Sequence, residues 1–424
     1  MTSGQGVYVF DSEGRPYLDG MAGLWCTSLG YGNEEVIDCA TRAMRELSFA
    51  HSFGGKTHPA AMKLADTLAD MLPLKQARVF FGSSGSDAND TLMKLVRYHA
   101  FAKGEPSRTK IIARDDAYHG MTLATSCLTG FEAAQAHFQL PSNDLGILRT
   151  GSADFFNGAK AGERPEDFVA RRASELDALI QANGPDTIAA MILEPVNAAG
   201  GVIIPPDGYF DAIQDVLNRY DIMLWDDEVV CGFGRLGTDF GASKFGFKPR
   251  MMTLAKGLSS AYVPLSVAAI DGDFFDAITP QAEAAGVFCH GYTYSGHPLA
   301  CAVGAKVLEI YQRENLFQRV DVMGAYFAER LSNLRDHSLV FDVSHMGLLG
   351  AVEVRWKKDP RLAIAALCAK AAEQCGLIVR AVTGTRIAIC PPLIISTSEI
   401  DELVEKLRLA LERAQHHLVH SQLQ

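Results

Sequence analysis

The stretch Leu224–Gly237 reads LWDDEVVCGFGRLG, and its interpretation decides the fold class. It begins in an apolar run and contains glycines 232, 234 and 237 in the G-x-G-x-x-G spacing of dinucleotide-binding loops. In such a loop the glycines join a strand directly to a helix, whereas here residues 226–231 intervene and a poor helix opening follows. The spacing therefore favours turn glycines over an NAD site, and the acids before them become the candidates for chemistry.

Apolar runs alternate with amphipathic helical patterns between residues 36 and 270. Runs that are apolar almost throughout are typical of strands buried on both faces of a parallel sheet. The strand candidates are Arg78–Phe81, Lys110–Ala113, Thr187–Leu193, Ile222–Trp225, Met251–Leu254 and Leu265–Ile270. The helix candidates between them include Ser86–Ala102, Arg171–Asn183 and Tyr209–Tyr220. This alternation predicts an α/β fold with a mostly parallel sheet, whose ligands bind at the carboxyl ends of strands.

The pattern changes after residue 299. Two helical patterns (299–314 and 318–335) are followed by short strands, including Leu377–Ala381 and Arg386–Ile389, and by a last helix from Glu399 to about His416. We therefore expect a large domain at 36–298 and a smaller α+β domain at 299–424. The segment 1–35 is too short to fold alone, and we expect it to pack with the smaller domain.

The composition excludes several classes of protein. The chain has 424 residues, 48% of them hydrophobic, and a formal charge of −11, which argues against a nucleic-acid partner. The nine cysteines form no C-x-x-C pair, so we expect free thiols in a reducing compartment and no metal site. Neither a signal peptide nor a membrane-spanning run is visible, and we expect a cytoplasmic protein that binds no membrane.

An acid and a lysine follow two consecutive strand candidates. Asp227 lies just past the run Ile222–Trp225, and Lys256 lies just past Met251–Leu254, so both are expected at the ligand-binding edge of the sheet. A lysine there could form a Schiff base, and an aspartate beside it could hold a cationic ring nitrogen. Pyridoxal phosphate chemistry needs both groups. Taken singly, each side chain also has an ordinary interpretation as a helix cap or a solvated residue.

A candidate phosphate site precedes them. In FFGSSGSDAND (residues 80–90) small residues join the strand candidate Arg78–Phe81 to a helix, whose first N–H groups and dipole favour an anion. The alternative is a plain N-cap, since Ser86 could cap the helix without any ligand.

These features, in this order, resemble the class III aminotransferases, which have the aspartate-aminotransferase-like fold of pyridoxal-phosphate enzymes (fold type I). The resemblance covers nearly the whole chain, and several scattered motifs in one order are highly specific. The motifs are GLWCTSLGYG (23–32), GSSGSDAND (82–90), AYHGMT (117–122), EPV (194–196), DEVVCGFGRLG (227–237), AKGLS (255–259), HGYTYSGHP (290–298), LIVRA (377–381) and CPPL (390–393).

The resemblance implies pyridoxal 5′-phosphate as cofactor and a role for each matched residue. Lys256 matches the lysine that forms the Schiff base and moves the proton, and Asp227 matches the partner of the pyridine nitrogen. A carboxylate there keeps the nitrogen protonated, so that the ring accepts electrons from the breaking Cα–H bond. The kinetics should be ping-pong, with the cofactor alternating between pyridoxal and pyridoxamine (PMP) forms.

The other matched residues would surround the cofactor. They are Ser84, Gly85 and Ser86 at its phosphate, Tyr118 stacked on its ring and bordering the substrate, His119 beside Tyr118, Glu194 near Asp227, Val229 packed against the ring, and Thr293. The resemblance implies that Thr293 reaches the cofactor phosphate of the other subunit. The protein would then be a homodimer, or a dimer of dimers, with shared active sites.

Two positions separate the branches of this family. Ornithine-, acetylornithine- and GABA-type members typically have glutamine where this chain has Val230, and an arginine for the glutamate carboxylate where it has Ala388. Arg386 shares a strand face with Ala388, so a substitute role stays open. The ω-amino acid:pyruvate group is more similar: Arg380 matches its carboxylate-binding arginine, and Trp25 would border the substrate pocket.

The resulting hypothesis is an ω-transaminase that moves an amino group from a primary amine or ω-amino acid to pyruvate, giving alanine. The alternatives are a 2-oxoglutarate-dependent class III enzyme of ornithine or GABA type, and a non-catalytic pyridoxal-binding protein. Two departures from the family pattern stand out: Asp87 replaces a glutamate, and Asp226 occupies a position that is usually small. The sequence provides no physical reason for Asp226.

Overall fold

The computed structural model describes residues 1–359 and 361–420. In that part of the chain the strands are β1 Ser3–Gln5, β2 Tyr8–Phe10, β3 Pro16–Asp19, β4 Arg78–Gly82, β5 Lys110–Arg114, β6 Ile147–Thr150, β7 Ile188–Leu193, β8 Met223–Asp227, β9 Met251–Leu254, β10 Ser266–Ile270, β11 Val340–Met346, β12 Leu349–Val354, β13 Leu377–Ile378, β14 Arg380–Ala381 and β15 Arg386–Ile389.

The helices in the same ranges are α1 Ala22–Trp25, α2 Glu34–Glu46, α3 Pro59–Met71, α4 Gly85–Ala102, α5 Leu123–Leu128, α6 Glu132–Gln135, α7 Phe155–Gly158, α8 Pro165–Asn183, α9 Tyr209–Arg219, α10 Gly241–Phe245, α11 Gly272–Ala284, α12 Pro298–Arg313, α13 Leu316–Ser332, α14 Ala365–Gln374 and α15 Thr397–His420. Short 3₁₀ turns follow at Pro185–Thr187, Lys256–Leu258 and Asn333–Asp336. None of these helices is long and apolar enough to cross a membrane.

A seven-stranded sheet in the order β4-β10-β9-β8-β7-β5-β6 forms the centre of the molecule. Strands β9, β8, β7, β5 and β6 pair in parallel, whereas β10 is antiparallel to both of its neighbours. Strands β7 to β10 are buried at every residue, which explains their apolar sequences. The predicted mostly parallel sheet is confirmed. Strand β6 was missed, because ILRT has only two apolar residues, followed by two polar ones, and lies at the sheet edge.

Two smaller sheets accompany the central one. The N-terminal strands β1, β2 and β3 form a sheet with β13, which comes from the far end of the chain. A second sheet has the order β11-β12-β15-β14. The single strand predicted at Leu377–Ala381 is therefore two strands, β13 and β14, which belong to different sheets. The domain boundaries at residues 35 and 298 stay a prediction.

The glycines of the opening stretch lie in turns. Strand β8 ends at Asp227, and the next helix is the short α10, which begins at Gly241. Gly234 and Gly237 have φ values of 90° and 87°, which residues with a side chain rarely adopt. No helix starts at these glycines, so the turn interpretation is confirmed.

Candidate active site

The carboxyl ends of β8 and β9 open into a cavity of about 750 Å³. It is lined by every predicted site residue except Thr293: Trp25, Ser84, Gly85, Ser86, Tyr118, His119, Glu194, Asp227, Val229, Lys256 and Arg380. Residues from seven separate stretches of sequence therefore meet at one place. Thr293 is exposed and lies outside this cavity, and its predicted contact with a second subunit stays a prediction.

Asp227 is the most heavily hydrogen-bonded of the carboxylates that line the cavity. Its side chain is 4% exposed and accepts from Asn89 Nδ2 at 3.0 Å, His119 Nδ1 at 2.8 Å and the Val229 N–H at 3.2 Å. Burial lowers the pKa of His119, although Asp227 acts in the opposite direction, so a neutral imidazole donates its Nδ1 proton. Three protein donors thus hold one buried carboxylate in a fixed orientation.

A second layer of hydrogen bonds fixes Asn89. Its Nδ2 also donates to the His119 carbonyl at 2.7 Å, and its Oδ1 accepts from Thr253 Oγ1 at 2.5 Å. Thr253 Oγ1 in turn accepts from Trp225 Nε1 at 2.8 Å. Sequence reasoning missed Asn89 and Thr253. The available signals were that Asn89 lies one helical turn after Ser86, and that Thr253 is the one polar residue in the strand MMTL.

Lys256 follows β9 and points into the cavity. Its backbone has φ 45°, and burial lowers the pKa of its ammonium group, which Asp227 partly opposes. The amine makes no hydrogen bond within residues 1–359 and 361–420. The ring of Trp25 lies near it, with its centroid 5.6 Å from Nζ. A buried amine without a hydrogen bond and with a lowered pKa is a suitable nucleophile for a carbonyl group.

Glu194 follows β7 and faces the same space. Its Oε1 accepts the Tyr118 N–H at 3.0 Å, which ties the Tyr118 ring position to this strand end. Burial raises the pKa of Glu194 to about 8, and the nearby Asp227 adds to the rise. At neutral pH this carboxyl group is therefore mainly protonated.

The helix α4 begins at the edge of the cavity. Ser84, not Ser86, is its N-cap: the Ser84 Oγ accepts the Asp87 N–H at 3.1 Å, and the Asp87 carboxylate accepts the Ser84 N–H at 3.1 Å. This capping box leaves the N–H groups of Gly85 and Ser86 without a partner in the described chain. A Cβ at Gly85 would lie 3.1 Å from Val229, so glycine allows the close approach of these two segments.

Trp25 and Arg380 line the cavity beside each other. The Arg380 guanidinium carbon lies 5.3 Å from the Trp25 ring centroid, so the ring has the two cations of Arg380 and Lys256 near it. Arg380 on β14 pairs directly with Ala388 on β15. Cross-strand partners share a sheet face, so Arg380 and Ala388 point toward the same side.

Arg386 lies outside this cavity, contrary to the substitute role that its strand position left open. Its guanidinium contacts Glu353 Oε2 at 2.9 Å, Asp154 Oδ2 at 3.1 Å and the Gly201 carbonyl at 3.3 Å. It borders a separate cavity of about 550 Å³. Two carboxylates therefore already occupy Arg386, which leaves Arg380 as the arginine that lines the active-site cavity.

Asp226 and Glu228 lie on the other face of the strand end from Asp227, as expected for neighbours along a strand. Both are fully buried, and the Glu228 Oε1 accepts the Ala242 N–H at 2.8 Å. Burial and the adjacent Glu228 raise the pKa of Asp226 well above its usual range, and burial raises the pKa of Glu228 to about 7. Asp226, which the sequence left without explanation, is thus a buried neutral acid.

The residues that line the cavity fit pyridoxal phosphate. They offer an unbonded amine at Lys256, a carboxylate at Asp227 held by three donors, and two free N–H groups at the start of a helix of 18 residues. These are the groups that could hold a carbonyl, a protonated ring nitrogen and a phosphate, respectively.

Comparisons with known proteins agree with this arrangement. The family model for class III aminotransferases matches residues 1–411. The chain belongs to the class III aminotransferases. It is therefore an aminotransferase of the fold type I architecture, and members of this family use pyridoxal phosphate.

Several relatives are similar over nearly their full length. A gamma aminobutyrate transaminase 3 of Solanum lycopersicum is 41% identical over 98% of this chain and 80% of its own. A putrescine–pyruvate aminotransferase of Pseudomonas aeruginosa is 40% identical over 97% of this chain and 90% of its own. The solved structure of the omega transaminase of Pseudomonas jessenii in complex with PMP is 41% identical in sequence. The match covers 98% of this chain and 92% of that one, with a TM-score of 0.95.

Proposed function

We propose that this aminotransferase binds pyridoxal phosphate and moves an amino group from a primary amine or ω-amino acid to pyruvate, giving alanine, in ping-pong half-reactions. The observation that carries the proposal is the position of Arg380. It is the arginine that lines the cavity, it lies beside Trp25, and its cross-strand partner is Ala388 rather than a second arginine. One guanidinium suits a substrate with one carboxylate, such as pyruvate or alanine.

The side chains divide the chemistry among them. When bound, pyridoxal phosphate supplies a carbonyl for the amino group and a ring that draws electrons from the adjacent carbon. Lys256 would hold the carbonyl in the resting enzyme and, once released, would move a proton to and from the substrate Cα. Asp227 would keep a proton on the ring nitrogen, and the N–H groups of Gly85 and Ser86 would hold the phosphate. Tyr118 and Val229, which line the cavity, would contact the ring.

The names of the relatives support both halves of the proposal. One relative's name pairs the diamine putrescine with pyruvate, and another's names 4-aminobutyrate, an ω-amino acid. The alternative acceptor, 2-oxoglutarate, carries a second carboxylate. The cavity offers no second arginine among its lining residues for that group, since Arg386 is already paired with Asp154 and Glu353.

Assembly as a homodimer, or a dimer of dimers, follows from the same proposal. The segment that carries Thr293 is exposed and lies among exposed apolar rings: the Phe49 and Tyr294 centroids are 6.1 Å apart, and both side chains are more than 40% exposed. Exposed apolar rings of this kind mark a protein–protein contact. Thr293 would then complete the phosphate site of the partner. Location in the cytoplasm stays a prediction.

The absorption spectrum of the purified protein tests the function. We expect a visible band from the bound cofactor that falls when alanine is added and returns when pyruvate is added. The variant Lys256→Ala should lose this cycle, whereas Lys244→Ala, which changes an exposed lysine, should retain it. A band that ignores alanine and responds only to glutamate and 2-oxoglutarate would instead establish the alternative acceptor.

Arg380 provides the second arm of the test. In Arg380→Met we expect the concentration of pyruvate for half-maximal rate to rise more than about tenfold, because a charge-assisted hydrogen bond pair is lost. Amines without a carboxylate should keep their rates within about threefold, since they need no guanidinium. Arg413→Met, which changes an exposed arginine of α15, is the matched control. Equal losses for charged and uncharged substrates would contradict the assignment.

A further inference from the structure

The cavity wall formed by Leu24, Trp25 and Cys26 has a backbone that its sequence disfavours. Ala22 has φ 46° and Trp25 has φ 60°, both in the left-handed region. Residues with a Cβ adopt this region only where their surroundings enforce it, and such residues cluster at functional sites. The turn that carries Trp25 therefore depends on interactions that hold it in place.

Asp19 supplies those interactions. Its side chain is 1% exposed and does not line the cavity. One carboxylate oxygen accepts the Met21 N–H at 3.0 Å, and the other accepts the Gly23 N–H at 2.6 Å and the Tyr31 hydroxyl at 2.7 Å. Two N–H groups on either side of Ala22 thus converge on one carboxylate, which locks the turn two residues before Trp25.

The backbone that carries the Asp19 carboxylate is held by strand pairing. Asp19 ends β3, where it pairs in parallel with Ile378 of β13, and Tyr31 exchanges backbone hydrogen bonds with Gly6 at 2.9 and 3.0 Å. Arg380 begins the next strand only two residues after Ile378. The turn that carries Trp25 and the strand that carries Arg380 are therefore anchored at the same point of the N-terminal sheet.

We propose that Asp19 is a positioning residue, which holds the Trp25 ring between Lys256 and Arg380 and so determines which amines the cavity accepts. This inference rests on the proposed function, because it assigns the selection of amines to a residue outside the cavity. The Trp25 ring lies 5.6 Å from the Lys256 amine and 5.3 Å from the Arg380 guanidinium carbon. A shift of this turn would move the Trp25 ring. It would therefore change both the space available to the substituent of the amine and the contact between the ring and Arg380.

The variant Asp19→Asn separates this role from general stability. An amide has one acceptor oxygen, so it cannot accept from both N–H groups and the Tyr31 hydroxyl in the present geometry. We expect the alanine concentration that half-bleaches the cofactor band to rise about tenfold, the effect of one lost buried hydrogen bond. The limiting rate of bleaching should stay within about threefold, because Lys256 and Asp227 are untouched. The preference for alanine over a bulky aromatic amine should fall.

A second measurement needs no cofactor. The chain has three tryptophans, at positions 25, 225 and 356, so the apoprotein labelled with fluorotryptophan gives one ¹⁹F resonance for each. Trp25→Phe identifies the first. In Asp19→Asn we expect the Trp25 resonance to shift or broaden while the other two stay in place.

Two further variants control the result. Asp11 is a partly buried acid of the same N-terminal region, and its carboxylate caps the N–H groups of Glu13 and Arg15 in a turn away from the cavity. Asp11→Asn should change neither readout. Tyr31→Phe removes one of the three donors and should give a smaller change in the same direction, which keeps the test valid if Asp19→Asn does not fold.

The outcomes are distinct. An unshifted Trp25 resonance together with wild-type selection of amines in Asp19→Asn would overturn the inference, as would equal effects of Asp11→Asn. Absence of a cofactor band in the wild type would overturn the proposed function instead, and the ¹⁹F comparison would still decide whether Asp19 holds Trp25.

Discussion

Three consecutive acids at the end of β8 meet two different environments. On the cavity face, Asp227 accepts hydrogen bonds from three protein donors. On the opposite face, Asp226 and Glu228 are fully buried beside each other, and the Ala242 N–H donates to Glu228. All three side chains are buried, and burial raises the pKa values of the two acids on the far face.

The comparison teaches that neighbouring buried carboxyl groups can differ sharply in the hydrogen-bond donors that surround them. Burial penalises the charged form, and hydrogen-bond donors compensate for the lost water. Donors are concentrated around Asp227, where the proposed ring nitrogen needs a negative partner. The far face has few donors, so its two acids are stable mainly while they hold protons. Strand alternation thus separates a carboxylate with three donors from two acids with few donors within three residues.

The largest effect is expected when the two faces are compared by isosteric substitution. Asp227→Asn should lower kcat/KM for the amine about 10²–10³-fold, because a preorganised charge is lost at the reacting ring. Asp226→Asn should leave kcat/KM within about threefold, because an amide resembles the protonated acid that is already present. Steady-state rates with alanine and a keto acid measure both.

A similar loss in the two variants would contradict the division between the faces. A small loss in Asp227→Asn alone would show that the ring nitrogen does not depend on this carboxylate. The ratio of the two effects is therefore the quantity to measure, with both proteins saturated in pyridoxal phosphate.

The second prediction concerns stability against pH. The folded-state pKa of Glu228 is about 7 against an ordinary 4.5, and that of Asp226 is raised further. A group with a raised folded pKa contributes fully below its unfolded pKa and destabilises the fold as pH rises, so the apoprotein should lose stability between about pH 5 and pH 8. The loss should be on the order of 1–3 kcal/mol. Asp226→Asn should reduce it.

Thermal unfolding of the apoproteins at pH 5 and pH 8 tests this. Asp115→Asn is the matched control, because Asp115 also follows directly after a strand, β5, but is exposed. It should change the pH dependence much less than Asp226→Asn does. A wild-type protein that gains stability up to pH 8 would show that Asp226 and Glu228 ionise without penalty.

The third prediction tests the donors that support Asp227. Thr253→Val keeps the shape of the side chain but leaves Trp225 Nε1 without an acceptor and Asn89 Oδ1 without a donor. We expect a loss of about 1–3 kcal/mol in unfolding free energy, the cost of unsatisfied buried groups. Urea unfolding measures it. The control Thr67→Val, on the exposed side of α3, should change the unfolding free energy by less than about 0.5 kcal/mol. Equal losses in the two variants would show that the hydrogen bonds of Thr253 contribute no more to stability than those of an exposed threonine.

These residues also show what a sequence can predict. Asp227 and Lys256 were found because buried parallel strands are recognisable as apolar runs, and ligands meet their carboxyl ends. Asn89 and Thr253 were not found, because a hydrogen bond across 164 residues has no local signal. From the sequence, either Arg386 or Arg380 could bind the substrate carboxylate. The period of a strand predicts which face a side chain lies on, but not which residue it contacts. The ion pairs of Arg386 with Asp154 and Glu353 decided between them.

The fold shows the same limit. The apolar run of β10 predicted a strand but not its direction, which depends on β4 and β9 beside it. The run Leu377–Ala381 predicted one strand, whereas its two halves pair with β3 and β15 in different sheets. Local pattern fixes the type of an element, and pairing over long distances fixes its place.

The smallest effect is expected at an acid that has donors but no role in the chemistry. Asp87 accepts from the N–H groups of Ser83 and Ser84 and from Ser266 Oγ, as Asp227 does from its own three donors, but it caps a helix. Glutamate serves a capping box equally well, so Asp87→Glu should change the unfolding free energy by less than about 1 kcal/mol and leave the affinity for pyridoxal phosphate unchanged. Fluorescence titration of the apoprotein measures that affinity, with Asp87→Ala as the variant that removes the cap. Weaker cofactor binding in Asp87→Glu than in Asp87→Ala would mean that the length of this side chain, not its hydrogen bonds, shapes the phosphate site.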